Sequence, residues 1–170
     1  MTKLEIQESY GIRPQIDLWT ICQEVCECLG NGVNNTADIF VHEIMGVETD
    51  HGTIRDLTVG RAGTGVCQFD EMPFYDRQSR YEEKHIKKIL EHFDIDMSRC
   101  TWEELELSPL KSAIACRLYF KAYKEPIPAD ILNRAKQWKE LYNTEDGDGD
   151  GTVEHYLEMN KNYDNKHNNE

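Results

Sequence analysis

The segment "SPLKSAIACRLYFKAY", residues 108–123, constrains the fold more than any other stretch of this chain. Ser108 is a helix-capping residue and Pro109 suits the first helical position, where a missing N–H costs nothing. Beyond them, Ala113, Ile114, Ala115, Leu118, Tyr119 and Phe120 leave no wholly polar face. A helix apolar on most sides belongs inside a protein, so other helices must be wrapped around this one. The remaining segments supply them.

Residues 15–29 place Ile16, Leu18, Trp19, Cys22, Val25, Cys26 and Leu29 at near-helical spacing before "GNG". A second helix is expected from a cap at Thr36 or Asp38, through Ile39, Phe40, Ile44 and Val47, to Glu48. Further helices are expected over 79–92, over 128–143, and after Thr152. Residues 49–67, with Gly52, Gly60, Gly63 and Gly65 among polar residues, read instead as a long glycine-rich loop. With few strand candidates, no repeat and no linker, the expectation is one all-α domain over 1–162, followed by a polar tail over 163–170.

A chain of 170 residues can bury a core of ordinary size without disulfides or metals. Six cysteines therefore read as reduced thiols. The C-x3-C-x-C run of Cys22, Cys26 and Cys28 is not a standard zinc spacing, and small core residues on an amphipathic helix account for it. No apolar run is long enough to span a bilayer, and the opening lacks the apolar region of a secretory signal. The net charge of −13 argues against nucleic acid and against an anionic membrane surface as partners. A carbohydrate or peptide substrate fits it.

Two motif-like runs lose their first meaning on inspection. "DGDGDGTVEHYL", from Asp146, begins like an EF-hand loop, with Asp146, Asp148, Asp150, Gly151 and Glu154 in register. Its twelfth position is Leu157, where the motif needs a bidentate glutamate, so a solvated acidic turn is the plainer reading. "HEIMG" starts like a zinc-protease motif, but Gly46 stands where the second histidine is required. His42 and Glu43 then read as surface or groove polar groups. No metal and no cofactor are expected.

The strongest candidate for chemistry is the segment 44–74. Glu48 closes an apolar helix beside the glycine-rich loop, and partial burial raises a carboxylic acid's pKa as a general acid requires. Glycines allow close backbone approach to a ligand, and Gln68 offers both donor and acceptor to a sugar. Glu43, five residues earlier, lies about 140° around the helix from Glu48 and is expected to point elsewhere.

In order along the chain, "VETDHG" (47–52), "GTGVCQFD" (63–70) and "LYNTEDGDGDGTVEHYL" (141–157) resemble three blocks of the lysozyme-like superfamily of lytic transglycosylases and goose-type lysozymes, particularly phage-encoded wall-degrading enzymes. Thr49 replaces the family's usual serine, and Val66 and Cys67 replace the common leucine and methionine. The resemblance implies a lysozyme-like fold and cleavage of the glycosidic bond between N-acetylmuramic acid and N-acetylglucosamine in peptidoglycan glycan strands. It implies Glu48 as general acid and then base, and Asp70 as the second carboxylate, with Asp50 and Asp56 behind it. Asp70 reads equally well as the cap of a short helix. Gln68 would position the sugar, Tyr142 would hydrogen-bond near Glu48, and Gly65 and Asn143 would line the glycan groove. A calcium-binding or structural module is the rival reading. Because peptidoglycan is often anionic, wall cleavage by so acidic a chain is predicted to speed up from low to moderate salt in a turbidity assay; a rate that only fell would contradict this.

Overall fold

The computed structural model describes residue 10 and residues 17–54, 63–144 and 151–167, with side chains to 161. The aspartates of the expected acidic turn and Asp56 lie outside the described residues. Among the described residues are seven α-helices, one 3-10 turn and one isolated antiparallel bridge, so the architecture is all-α.

Helix α1 spans Leu18–Leu29. Asp17 caps it, accepting from the Trp19 N–H at 3.0 Å and the Thr20 hydroxyl at 2.7 Å, so the helix begins three residues later than its apolar pattern suggests. Leu18, Cys22, Val25, Cys26 and Leu29 form its buried stripe. Burial pushes the Cys26 thiol up to about 12 and the Cys22 thiol well above its ordinary value, so both stay protonated as core residues. The last carbonyls of α1 meet two cations. Arg117 donates to Gly30 O through Nε (2.9 Å) and Nη2 (2.8 Å), and Lys121 donates to Leu29 O at 2.8 Å. Positive charge there complements the helix dipole.

Helix α2 spans Ala37–Thr49. Thr36 stands at the cap position but closes no bond to the helix through its side chain, while Asp38 Oδ1 accepts from the Ile39 N–H at 2.8 Å in the first turn. The Thr36 hydroxyl donates to Pro128 O at 3.1 Å, and Asn31 Oδ1 accepts from the Asp38 N–H at 2.7 Å. Ten of the thirteen residues of α2 are buried, against nine of thirteen in α5, Pro109–Lys121. The single central helix expected at 108–123 therefore shares the core with α2. The start of α5 is as read: Ser108 Oγ accepts from the Lys111 N–H, and Pro109 is the first helical residue.

The helix expected over 79–92 starts four residues late, after Glu82, and the short helix expected after Asp70 precedes it. Helix α3, Glu71–Gln78, ends at Ser79, and α4, Glu83–Phe93, starts after Glu82. Gln78, the last residue of α3, donates to Met97 O (2.9 Å) and Cys100 O (2.6 Å). A 3-10 turn over Trp102–Leu105 leads into α5. Helix α6 spans Ile131–Leu141 and is capped by Asp130 rather than opened by Pro128. Helix α7 runs Val153–His167, so the boundary expected at 162 falls inside it. Helix α2 packs against α1, α5 and α7, while α6 packs against α7.

Two expectations for α2 are overturned. His42 and Glu43 are not surface groups; each is only 6 % exposed. Glu43 makes a two-pronged ion pair with Arg134 of α6 (2.8 and 2.7 Å), and its Oε2 also accepts from the Tyr156 hydroxyl of α7 at 2.7 Å. Asn160 of α7 donates to the Glu43 carbonyl at 3.1 Å, over Gly46, where an added Cβ would lie 2.5 Å from Asn160 Oδ1. The sequence could not reveal this because the partners lie 91 and 113 residues away.

Removing one partner of such a pair leaves the other charge buried and alone. Arg134→Met is expected to lower the unfolding free energy by about 3–5 kcal/mol in urea titration. A loss below about 1 kcal/mol, the size of an exposed pair, would show that this pair does not hold α6 on α2.

Candidate active site

Glu48 is the last residue but one of α2, where the chain turns sharply. Asp50, His51 and Gly52 all take positive φ, at 46°, 54° and 80°. The N–H groups of Asp50 and His51 return to Gly46 O (2.9 Å) and Met45 O (3.0 Å), which closes the helix. Thr49 joins this turn to the second block. Its hydroxyl is 2.9 Å from Val66 O and accepts from the Gly52 N–H at 2.9 Å.

The segment 64–69 is a tight hairpin. Thr64 and Phe69 exchange backbone bonds at 2.9 and 3.0 Å, and the Gln68 N–H closes on Gly65 O at 3.1 Å. Its backbone groups are met from all sides. The Gly65 N–H goes to Glu106 Oε2 (3.0 Å) and the Cys67 N–H to Ser112 Oγ (3.2 Å). Cys67 O accepts from the Tyr142 hydroxyl (2.6 Å), and Phe69 O from the Trp102 indole (2.7 Å). Gly65 is required here: its φ is +77°, and a Cβ would meet Leu105 O at 2.7 Å. Gln68 is half-buried with φ +51°, and its Nε2 donates to Gly65 O at 2.8 Å. Its side chain lies over Gly63, where a Cβ would come within 2.5 Å of Gln68 Oε1.

The hydrogen bond expected from Tyr142 to Glu48 comes from another residue. The Trp138 indole donates to Glu48 Oε1 at 2.9 Å. Tyr142 instead fastens the hairpin through Cys67 O, with its ring stacked on Phe120 (5.8 Å, 22°) and edge-on to Phe69 and Tyr119. Asn143 accepts from Lys139 Nζ at 3.0 Å, and its backbone N–H returns to Trp138 O. Gly151 closes over the Trp138 ring, where a Cβ would lie 2.6 Å from Cη2. Trp138 is the site residue that the sequence reading missed. Its one sequence signal is the spacing "WKELY", which sets it one turn before Tyr142 on the same face.

Glu43 and Glu48 both face α6, despite the angle between them on α2, because Arg134 and Trp138 are four residues apart there. Their surroundings differ. Glu43 is paired with a cation, whereas Glu48 receives one indole N–H. Burial raises Glu48 from the ordinary 4.5 to about 8; the Trp138 bond lowers it somewhat, and the negative charge of Asp70 raises it. Glu48 therefore carries its proton at neutral pH while keeping a partial opening to solvent.

Asp70 is exposed at the first position before α3, and its side chain makes no capping bond there. Asp50, the reserve candidate, binds the Thr53 hydroxyl at 3.0 Å. The arrangement is thus a neutral carboxylic acid within the electrostatic reach of an exposed carboxylate, beside a tight hairpin with a polar side chain. It can donate a proton, and it can receive one after reaction. No protein-family model, curated protein or solved structure matches this chain.

The opposing influences on Glu48 can be separated by carboxyl 13C NMR on glutamate-labelled protein, with Glu48→Gln assigning the signal. Trp138→Phe should move its midpoint above about 8, and Asp70→Asn should move it below. Shifts in the same direction would refute this account. Because the folded state holds this proton more tightly than the unfolded chain, Glu48 costs stability as pH rises from about 4.5 to about 8, and Glu48→Gln should remove that loss.

Proposed function

We propose that this chain is a lysozyme-like, peptidoglycan-cleaving enzyme acting on the bond between N-acetylmuramic acid and N-acetylglucosamine, as a lytic transglycosylase or a lysozyme. The observation that carries the proposal is the Glu48 carboxyl, protonated up to about pH 8 at the point where the segments 47–52, 63–70 and 138–143 meet. Those segments hold the first two blocks by which the sequence resembles the superfamily and the opening residues, 141–143, of the third.

In this reading Glu48 gives its proton to the glycosidic oxygen as the bond breaks through an oxocarbenium-like state. The Trp138 indole holds Glu48 Oε1, so the proton resides on the oxygen left free. The glutamate, then ionised, acts as base. Deprotonating the sugar's own 6-hydroxyl yields a 1,6-anhydro product, and activating water, alone or with Asp70, yields a reducing end. Gln68, Gly65 and Asn143 line the groove, and Tyr142 holds the hairpin that presents Gln68.

Digestion of purified peptidoglycan followed by mass spectrometry tests the reaction. Anhydro-muropeptides identify a transglycosylase and reducing ends a lysozyme, while absence of products from folded protein would sink the proposal. Glu48→Gln should abolish digestion with the helical circular dichroism unchanged. The wild-type rate should fall on the alkaline side with a midpoint near pH 8, as the acid loses its proton. A rate still rising past that point would remove Glu48 from the role.

A further inference from the structure

A concavity lies between the end of α3, the start of α4 and the last turns of α5, on residues that the Glu48 site does not use. Arg77, Arg80, Tyr81, Glu82, His85 and Lys121 are its polar lining, around a cavity of about 30 Å3. That volume admits a small ion or one end of a ligand, not a sugar ring. In a chain of net charge −13, a lining of two arginines, a lysine and a histidine against one carboxylate is a local reversal of sign.

The donors there are only partly used. Arg77 is clamped between the rings of Tyr119 and Tyr123, at 4.6 and 4.7 Å, and gives one N–H to the Tyr123 hydroxyl. It has no carboxylate partner among the described residues. Lys121 gives one of its three N–H groups to Leu29 O. Arg80 is bridged to Asp76 at 2.8 Å but stands two-thirds exposed and is able to swing. The single carboxylate, Glu82, is occupied by Lys84 at 2.6 Å.

His85 is the second, independent sign of a ligand. It is 7 % exposed, yet its ring makes no hydrogen bond among the described residues, and its nearest ionic neighbour is Glu82 Oε1 at 3.9 Å. An imidazole this buried, with only a long contact to Glu82 and opening on a cavity of cations, keeps a ring N–H free to donate to a ligand oxygen. Helix α4 also begins here, with the backbone N–H groups of its first turn directed outward from its positive end.

We propose that this cleft binds a phosphoryl group, as inorganic phosphate or as the phosphate ester of a small molecule, through Arg77, Arg80, His85 and Lys121. Donors converge from three helices, which suits a tetrahedral oxyanion better than a planar carboxylate, and the planar arginine fork matches two phosphoryl oxygens. Burial and then Lys121 hold His85 below its ordinary value, with Lys84 and Lys88 adding to this and Glu82 opposing it. Arg77 and Arg80 face it from α3 and the turn after it, and α1 reaches α4 through Cys28, which bonds Lys88 O. A bound anion reverses the balance, so His85 takes up a proton as the ligand enters.

NMR titration of the histidine rings in the full chain tests this, with inorganic phosphate and glycerol 3-phosphate compared against sodium chloride at equal ionic strength. His85, assigned by His85→Gln, is expected to show a saturable shift and a midpoint moved to higher pH. Arg80→Gln, at an exposed position, should weaken binding about tenfold. His85→Gln should leave only the pH dependence that phosphate's own titration supplies. Tighter binding of the ester would identify an ester as the ligand; equal or weaker binding would identify the free ion. A His85 midpoint the same in phosphate as in chloride, or both variants binding as the wild type does, would overturn the proposal. The test is indifferent to Glu48, so it stands or falls apart from wall cleavage.

Discussion

The ion pair between Glu43 and Arg134 is the contact on which the rest of this structure depends. It joins α2 to α6 in the core, and the Tyr156 hydroxyl brings α7 to the same carboxylate. Such a pair tolerates little freedom, because both charges are desolvated and each is left uncompensated by any slip. Its register has a consequence one turn along each helix. With Arg134 fixed on Glu43, Trp138 comes to lie on Glu48. The charged pair therefore aligns the neutral one.

Two glutamates five residues apart on one helix consequently have unlike roles. Glu43 has both carboxyl oxygens satisfied, with nothing left to offer a substrate. Glu48 has one indole N–H, apolar surroundings and the charge of Asp70 nearby, and each of the last two favours the neutral acid. Environment, not residue type, separates a strut from a proton donor. A related contrast holds between the surroundings of Glu48 and those of His85. Burial acts first at both: it retains a proton on Glu48, with the charge of Asp70 adding to it, and expels one from His85, with Lys121 adding to it.

Much of the scaffold was legible in the sequence because its causes are local. Ser108 and Pro109 start α5, and the apolar spacing of α1 lies where a 3.6-residue period puts it. The glycine in the second block marks a backbone conformation that a Cβ would block. The misread points had distant causes. The late start of α4 follows Gln78, which bonds the carbonyls of Met97 and Cys100, and Asn31 adds a bond to the first turn of α2. The imidazole of His42 and the carboxylate of Glu43 are buried because other helices cover them. A charged residue on a helix reads as exposed until its partner is known.

At the site, the sequence by itself determined which residue types stand at Glu48, Gly65, Gln68, Asp70, Tyr142 and Asn143, and that a helix end would meet a glycine-containing turn. Only the tertiary structure decided what each does there. Trp138, not Tyr142, holds the acid; Tyr142 and Thr49 hold the hairpin; and the charge of Asp70 acts on Glu48. The physical reason is that a carboxyl's proton affinity depends on the dielectric and charge within a few ångströms, and those surroundings come from segments up to 90 residues away.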